Sequence, residues 1–447
     1  MPEKYDVKII DCELYFLPLV MRIPLKFGSE VSTGYDTARV RLTVEGMDGR
    51  RASGWGESPL SPAWAWPSAS SFAERLDKMR RLCRKLGALW KYFGGAGHPM
   101  EIGYAFLETQ LPHELPELAE LTCNAPFDLA LHDAYGNLHG IPVYDTYNRN
   151  YMNRDLMSYF GEERFRSLYP EDFFSAPAAT LPVWHLVGGR DPLCRNETGR
   201  SDPRDGYPVL LDDWITEDGL KCLKVKLRGN DPEWDYERLL RTGRIALEKG
   251  IDHLSADFNC MVQNVDYVNR ILDRLLAEHP KIFNLILYIE QPFPYDLEQN
   301  RIDVHSVSAR KPLFMDESAH DWKLVRLGQS LGWTGVALKT CKTQTGALLS
   351  ACWAKAHGMT LMVQDLTNPR LAMIPHVQLA AHIGTIMGVE CNAMQFYPEA
   401  STEEERIHPG LYRRRGGRLD LSTLNGSGFG MQTDRMDFQL PEKEALG

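Results

Sequence analysis

Five polar landmarks punctuate the second half of the chain, each closing a short apolar run. Lys224-Val225-Lys226 follows Leu220–Leu223, Asp257-Phe258-Asn259 follows Ile251–Ala256, and Glu290-Gln291-Pro292 follows Leu285–Ile289. Asp316-Glu317-Ser318 then follows Leu313–Met315, and Lys339 follows Gly335–Leu338. Neighbouring landmarks stand 23 to 33 residues apart, the stretch that one strand and one helix occupy. Barrel enzymes carry their chemistry at the carboxyl ends of strands, so three lone acids at successive ends would converge on one point. Hard divalent cations are held by such oxygen ligands. A lysine on either side of the acids is what removal of a carbon-bound proton needs. The pattern is that of an enzyme.

That chemistry sets a condition on the lysines. An ammonium group with an ordinary pKa of about 10.4 serves as a base only if that value falls toward neutrality. Lys224 lies two residues before Lys226, hence on the same face of a strand, and its like charge is expected to disfavour protonated Lys226.

The elements that would position these groups follow from periodicity. Val7–Pro18 and Thr37–Glu45 alternate as antiparallel strands, Asp48-Gly49 is a hairpin turn, and Ala52–Glu57 follows it. Helical spacing runs over Ser71–Leu89 and Pro126–Leu138, with a stop at Gly140-Ile141-Pro142. From Leu181 onward strands and helices alternate. The expected strands are Pro182–Val187, Leu220–Lys226, Ile251–Asp257, Leu285–Glu290, Leu313–Asp316, Gly335–Lys339, Thr360–Val363 and Met387–Phe396. The expected helices are Tyr236–Lys249, Val265–Glu278, Gly346–His357 and Arg370–His382. This is an α/β pattern that favours a (β/α) barrel over an open doubly wound sheet. No Gly-x-Gly-x-x-Gly stands at a strand-to-helix turn, and Gly426–Gly430 reads as a loop. The chain divides into an α+β region at 1–150, a connection at 151–180, a barrel at 181–397 and a C-terminal segment at 398–447.

Composition narrows the partners. A net charge of −10 argues against nucleic acid and against an anionic membrane surface. No apolar run reaches transmembrane length, and Met1–Asp6 lacks the form of a secretion signal. Nine scattered cysteines without a Cys-x-x-Cys suggest reduced thiols in a cytoplasmic protein. Symmetric self-assembly, a homo-oligomer, is the general expectation at this size. Arg413–Arg418 contains Gly416-Gly417 and reads as a solvated hairpin turn rather than a nucleic-acid patch.

The order Lys-x-Lys, Asp-x-Asn, Glu-Gln-Pro, Asp-Glu-Ser and Lys resembles the enolase superfamily, in its mandelate racemase/muconate lactonizing enzyme branch. The resemblance runs almost end to end. Ile23-Pro24-Leu25 and Gly54-Trp55-Gly56-Glu57 resemble that family's capping domain, Phe127–Asp133 with Gly140–Val143 its helix leading into the barrel, and Ser427–Gly430 the tail returning to the cap. It implies a modified (β/α)7β TIM-type barrel closed by an N-terminal α+β capping domain, with an essential Mg2+. It implies that Asp257, Glu290 and Asp316 ligate the metal, and that Lys226 and Lys339 face a small carboxylate substrate from opposite sides, with Lys224 tuning Lys226. The reaction implied is α-proton abstraction through an enediolate, giving racemisation or epimerisation. A dehydratase or cycloisomerase on an acid sugar or muconate-like acid is the alternative, and a barrel that binds a carboxylate without turnover is a third reading.

Two departures refine this. The region Thr360–Pro369 has no histidine, which disfavours the branch using a strand-seven His and favours the lysine-pair, muconate lactonizing enzyme-like subgroup. Glu390-Cys391-Asn392 lacks the Asp-x-Asp with which dipeptide epimerases hold an ammonium group. Asn259 and Glu317 are expected as second-layer or metal-water contacts, and Ser29, Tyr35, Trp64, Gln364, Asp365 and Asn392 as specificity positions. Lys342 is expected at the surface or in a loop, and His185 as a packed or pocket-lining residue. Gly188–Tyr207 replaces an expected helix with a polar stretch, read as part of a lid with Phe27–Tyr35 and Ser58–Trp66.

Overall fold

A computed structural model describes residues 3–28, 30–199 and 202–447. Alternating burial builds two long strands, β1 (Val7–Phe27) and β2 (Glu30–Gly46), paired antiparallel from Val7↔Gly46 to Phe27↔Glu30. Both run further than their alternation predicts. A register shift between Val20 and Leu25 breaks the period there, and the ribbon continues beyond it. The expected cap loop at Phe27–Tyr35 is therefore mostly strand. β3 (Arg51–Leu60) follows a turn in which the Gly46 N–H donates to the Arg50 carbonyl at 2.9 Å and Gly49 takes φ +79°. A short β4 (Ala96–Gly97) completes a sheet of order β3-β2-β1-β4.

Four helices accompany this sheet: α1 (Pro62–Ala65), α2 (Phe72–Lys91), α3 (Pro99–Thr109) and α4 (Glu117–His139). The helix expected to start at Pro126 starts instead at Glu117, with the proline inside it. Almost every side chain of α4 is buried, and that packing outweighs the lost hydrogen bond of an internal proline. Gly54 and Gly56 explain how close the helix comes. A Cβ at Gly56 would stand 2.0 Å from the Pro126 carbonyl oxygen, and one at Gly54 would stand 2.0 Å from the Ala134 nitrogen. Because the obstacle is backbone, Gly56→Ala is expected to cost at least about 1–3 kcal/mol, read as a lower urea midpoint at unchanged slope. An unshifted midpoint would mean that helix and strand can part cheaply.

The rest of the chain alternates strands and helices. The strands are β5 (Thr180–Val187), β6 (Cys222–Lys226), β7 (His253–Asp257), β8 (Ile286–Glu290), β9 (Leu313–Met315), β10 (Gly335–Leu338), β11 (Thr360–Val363) and β12 (Val389–Glu390). All pair in parallel in the order β11-β10-β9-β8-β7-β6-β5-β12. The sheet curls back on itself: β12 pairs β5 at one end, while the Ile386 N–H just before β12 donates to the Leu361 carbonyl of β11 at 2.7 Å. The expected strand Met387–Phe396 shrinks to Val389–Glu390. Asn392 and Gln395 accept from the Leu186 N–H and the chain turns helical at Ala393–Phe396. Helices at Leu211–Asp218 and Trp322–Leu331 were not legible in the periodicity. Among the described residues no helix is long and apolar enough to cross a membrane.

Period-two alternation gives the curled sheet its internal layering. Trp184, Cys222, Tyr288, Phe314 and Met362 form an apolar cluster of their own. Two residues further along the same strands come Lys224, Glu290, Asp316 and Gln364. An apolar plug thus carries a polar layer at the carboxyl ends of the strands.

Buried polar residues of α4 join the two halves. Asp128 accepts from the Thr345 N–H at 2.9 Å and from its hydroxyl at 2.7 Å, beyond β10. Asp133 accepts from the Trp55 N–H at 3.0 Å in β3 and from the Phe429 N–H at 2.9 Å in the C-terminal segment. The Gly-rich tail therefore lies against α4. The turn at Gly416-Gly417 is as expected, but Arg414 beside it is buried, 2.6 Å from Asp218, rather than solvated.

Candidate active site

Strand register delivers the five landmarks to one place. Lys226 of β6 stands opposite Asp257 of β7, Asp257 opposite Glu290 of β8, and Glu290 opposite Phe314, two residues before Asp316. Lys339 follows directly on β10. With Lys224 they make six ionisable side chains, none more than 6% exposed.

The lysines and acids are interleaved. The Lys224 ammonium donates to Glu290 at 2.6 Å and to Glu390 at 3.1 Å, and lies 3.1 Å from Asp257. Lys226 donates to the same Asp257 oxygen that Lys224 approaches. Lys339 donates to the Asp365 carbonyl at 3.0 Å and stands 3.4 Å from the Asp316 carboxylate. Gln364 donates to Glu290 at 2.5 Å and to the Tyr288 hydroxyl at 3.1 Å, joining the polar layer to the plug beneath. Asn392 donates to Glu390 at 2.7 Å and to Asp365 at 3.3 Å, while its N–H also donates to Asp365 at 2.9 Å.

Charge is therefore held in tension. Burial pushes the Lys224 ammonium toward the neutral form, but Glu290, Glu390 and Asp257 outweigh it and hold it well above the usual lysine range. Lys339 is likewise raised, with Asp316 overcoming burial. Burial and then the neighbouring Asp257 push Glu290 far above the carboxylate range, while Lys226 and Lys224 overcome burial to keep Asp257 low. Asp316 is kept low against burial by Lys339 and Lys342, and Glu317 rises to about 7 through burial, Asp316 and Asp257. The acids clustered around Lys224 absorb its charge.

Side chains from the N-terminal sheet and helices close the site. Leu25, Phe27 and Trp64 share with Lys226, Asp316 and Lys339 the lining of a cavity of about 20 Å³, room for about one water molecule. The Trp64 ring lies 5.4 Å from the Lys339 ammonium. Tyr35 does not line that cavity: its hydroxyl is taken up by Leu366, Thr367 and Tyr397. Asn259 donates to Glu317 at 3.3 Å, and the second Glu317 oxygen is buried without a partner. Ser29 lies outside the described residues. His185 is packed, beside Gln395 at 3.3 Å. Gly188–Tyr207, apart from the undescribed residues 200 and 201, is tied down at both ends. Arg238 donates to the Gly188 and Asp191 carbonyls, and Arg22 clasps Asp205 with two bonds of 2.7 Å.

Two residues were missed. Lys342, expected at the surface, is buried and donates to the Asp316 carbonyl at 2.5 Å, because the chain turns inward through a short helix after β10. Glu390 was passed over, although its place two residues before Asn392 at a strand end marks both for the same face.

The donor set fits a hard cation: three carboxylates on adjacent strand ends, with Glu290 pushed upward first by burial and then by Asp257. Among the described residues no three acidic, His or Cys side chains are grouped as a ligating set; Lys224 instead bridges Glu290 and Asp257.

Solved structures of similar fold include a muconate lactonizing enzyme from Pseudomonas fluorescens complexed with muconolactone, at TM-score 0.63 and 16% identity over 97% of this chain and 99% of that one. An N-succinyl Arg/Lys racemase from Bacillus cereus matches at TM-score 0.64 and 18% identity, over 96% and 98%. The L-Ala-D/L-Glu epimerase from Bacillus subtilis matches at 0.60 and 17%, over 87% and 90%. Comparison with curated proteins gives no match. The enolase C-terminal domain-like family model matches residues 209–437, just over half of the chain and every strand-end acid and lysine described above, and the chain belongs to that family.

Proposed function

We propose that the chain is a Mg2+-dependent enzyme of the enolase superfamily that removes the α-proton of a small carboxylate substrate, in the lysine-pair subgroup, on a (β/α)7β barrel closed by the N-terminal cap. The observation that carries this is the sharing of one cavity by Lys226, Lys339 and Asp316, with Asp257 and Glu290 alongside. Asp257, Glu290 and Asp316 would hold the metal, whose positive charge would offset both the crowded acids and the negative charge that builds on a substrate carboxylate. Lys226 takes the α-proton and Lys339 serves the opposite side. Lys224 and Gln364 hold Glu290 in place, and Trp64 with Leu25 and Phe27 excludes water.

The neighbours' chemistry supports the class without choosing a reaction, since their names cover lactonisation, racemisation and epimerisation. A second reading rests on Lys339. Asp316 holds its ammonium protonated, which suits a proton donor or electrostatic partner, as in cycloisomerisation or dehydration with Lys226 as the only base.

The test is solvent deuterium incorporation by NMR across N-acylamino acids, dipeptides, aldonic and aldaric acids and muconate-like acids. Exchange at an α-carbon is expected with Mg2+ and is expected to vanish after chelation. Product mass then separates loss of water from isomerisation. Metal binding without exchange of any acid would leave a binding protein and overturn the reading.

A further inference from the structure

Gln291, between Glu290 and Pro292, is fully buried and uncharged, yet it ties three of the strand ends together. Its side-chain oxygen accepts three hydrogen bonds, from the Asp316 N–H at 2.8 Å, the Ser318 N–H at 3.2 Å and the Ser318 hydroxyl at 2.8 Å. Its amide nitrogen donates to the Phe293 carbonyl at 3.0 Å. The backbone of the same segment holds the two neighbouring strands. The Gln291 N–H donates to the Phe314 carbonyl of β9 at 3.0 Å. The Gln291 and Pro292 carbonyls each accept at 2.8 Å, from the Cys260 and Val262 N–H groups beyond β7.

The backbone here is strained, and this bonding holds it. Gln291 takes φ +30° although it carries a side chain and precedes a proline, which steers its predecessor toward extended backbone. Asn259 and Cys260, the second of which donates to Gln291, have φ +45° and +63°. Such backbone persists where the surroundings over-determine it, and it gathers at sites whose geometry matters. Asp316 is held from its other side as well, since Lys342 donates to its carbonyl at 2.5 Å. Both the N–H and the carbonyl of Asp316 are thus fixed by buried side chains.

We infer that Gln291 is a positioning residue that sets the spacing of Asp257, Glu290 and Asp316, and so selects a small divalent cation over a larger one. The inference rests on the metal site proposed above and adds to it the residue that fixes the acids. Gln291 touches neither cation nor substrate in this scheme. Mg2+ demands near-octahedral oxygen ligands at about 2.0–2.1 Å, whereas Ca2+ accepts looser sets at about 2.3–2.6 Å. Acids whose loops are pinned from one buried point suit the first, and loosening those loops penalises Mg2+ more than Ca2+. A side chain that only filled space would create no such preference.

The experiment is calorimetric titration of the metal-free protein with MgCl2 and with CaCl2. Gln291→Met keeps the side chain's length and removes its accepting oxygen. Its Mg2+ affinity is expected to fall about 10–100-fold, and its Ca2+ affinity by a smaller factor. Gln291→Glu keeps an accepting oxygen and adds a charge that acts alike on both divalent ions, so the wild-type ratio of Mg2+ to Ca2+ affinity is expected to survive. Gly56→Ala, weakened where β3 meets α4, is expected to keep both affinities. Unchanged Mg2+ affinity in Gln291→Met, equal losses for both cations, or the same losses in Gly56→Ala would overturn the inference. Should Gln291→Met not fold, Ser318→Ala removes one of the three bonds and is expected to lower the ratio in the same direction; an unchanged ratio overturns the inference. Wild-type protein that binds neither cation would overturn the metal site and this inference together. Wild-type binding with no effect of Gln291→Met removes this inference alone.

Discussion

Lys226→Ala is expected to lower α-proton exchange by about 10²–10⁴-fold, the usual loss when a positioned general base is removed. Its partner gives the diagnostic half of the experiment. If Lys226 and Lys339 each serve one face of the substrate, Lys226→Ala stops exchange of the enantiomer whose proton faces Lys226. Exchange of the other enantiomer then continues through Lys339. Racemisation fails in both single variants, because inversion needs a base on one side and an acid on the other. If Lys339 is only a cationic partner, held protonated by Asp316, Lys339→Ala slows the reaction without this enantiomer split. The pattern across two variants and two enantiomers thus separates racemisation from one-base elimination or cycloisomerisation. Full activity in Lys226→Ala would remove the proposed base from the mechanism.

The site was legible because its residues break the pattern around them. A lysine or acid closing an apolar strand is a local signal, and five in series, 23 to 33 residues apart, point to one rim of an alternating strand–helix sheet. Lys224, Lys226, Asp257, Glu290, Asp316 and Lys339 all arrive there. Glu390 belongs to the same class, but its strand has only two residues, too short for alternation to register. Lys342 escaped for another reason: a turn of helix after β10 folds a position that looks like loop back under the sheet's rim. Tyr35 carried a plausible type for substrate contact, yet its hydroxyl partners lie more than 300 residues away, and no local pattern records them. The α4 boundary was misread because proline is locally a helix start, whereas packing on both sides of the helix decides the matter. For Tyr35 and α4 a contact distant in sequence overrode a local preference.

Lys224→Met is expected to destabilise the metal-free protein by about 3–5 kcal/mol, the cost of leaving a buried charge without its partner. Methionine keeps the length of the side chain, so little of the loss comes from an emptied space. The charge is the issue. One ammonium group faces Glu290, Glu390 and Asp257, and without it the one lysine still bonded to these acids is Lys226, on the same Asp257 oxygen. Two conditions should reduce the loss. Mg2+ brought to Asp257, Glu290 and Asp316 would supply the missing positive charge, so the gap between variant and wild type should narrow in saturating metal. Low pH should also narrow it. Glu290 is already pushed upward by burial and Asp257, and removing Lys224 raises it further above its unfolded value near 4.3. A folded state that binds more protons than the unfolded one loses stability as pH rises, so the deficit should grow from about pH 5 to pH 8. Urea unfolding of wild type and variant, with EDTA or Mg2+, at both pH values, measures all three effects. A loss that ignores both metal and pH would show that Lys224 matters for packing and that the acids around it do not form a cation site.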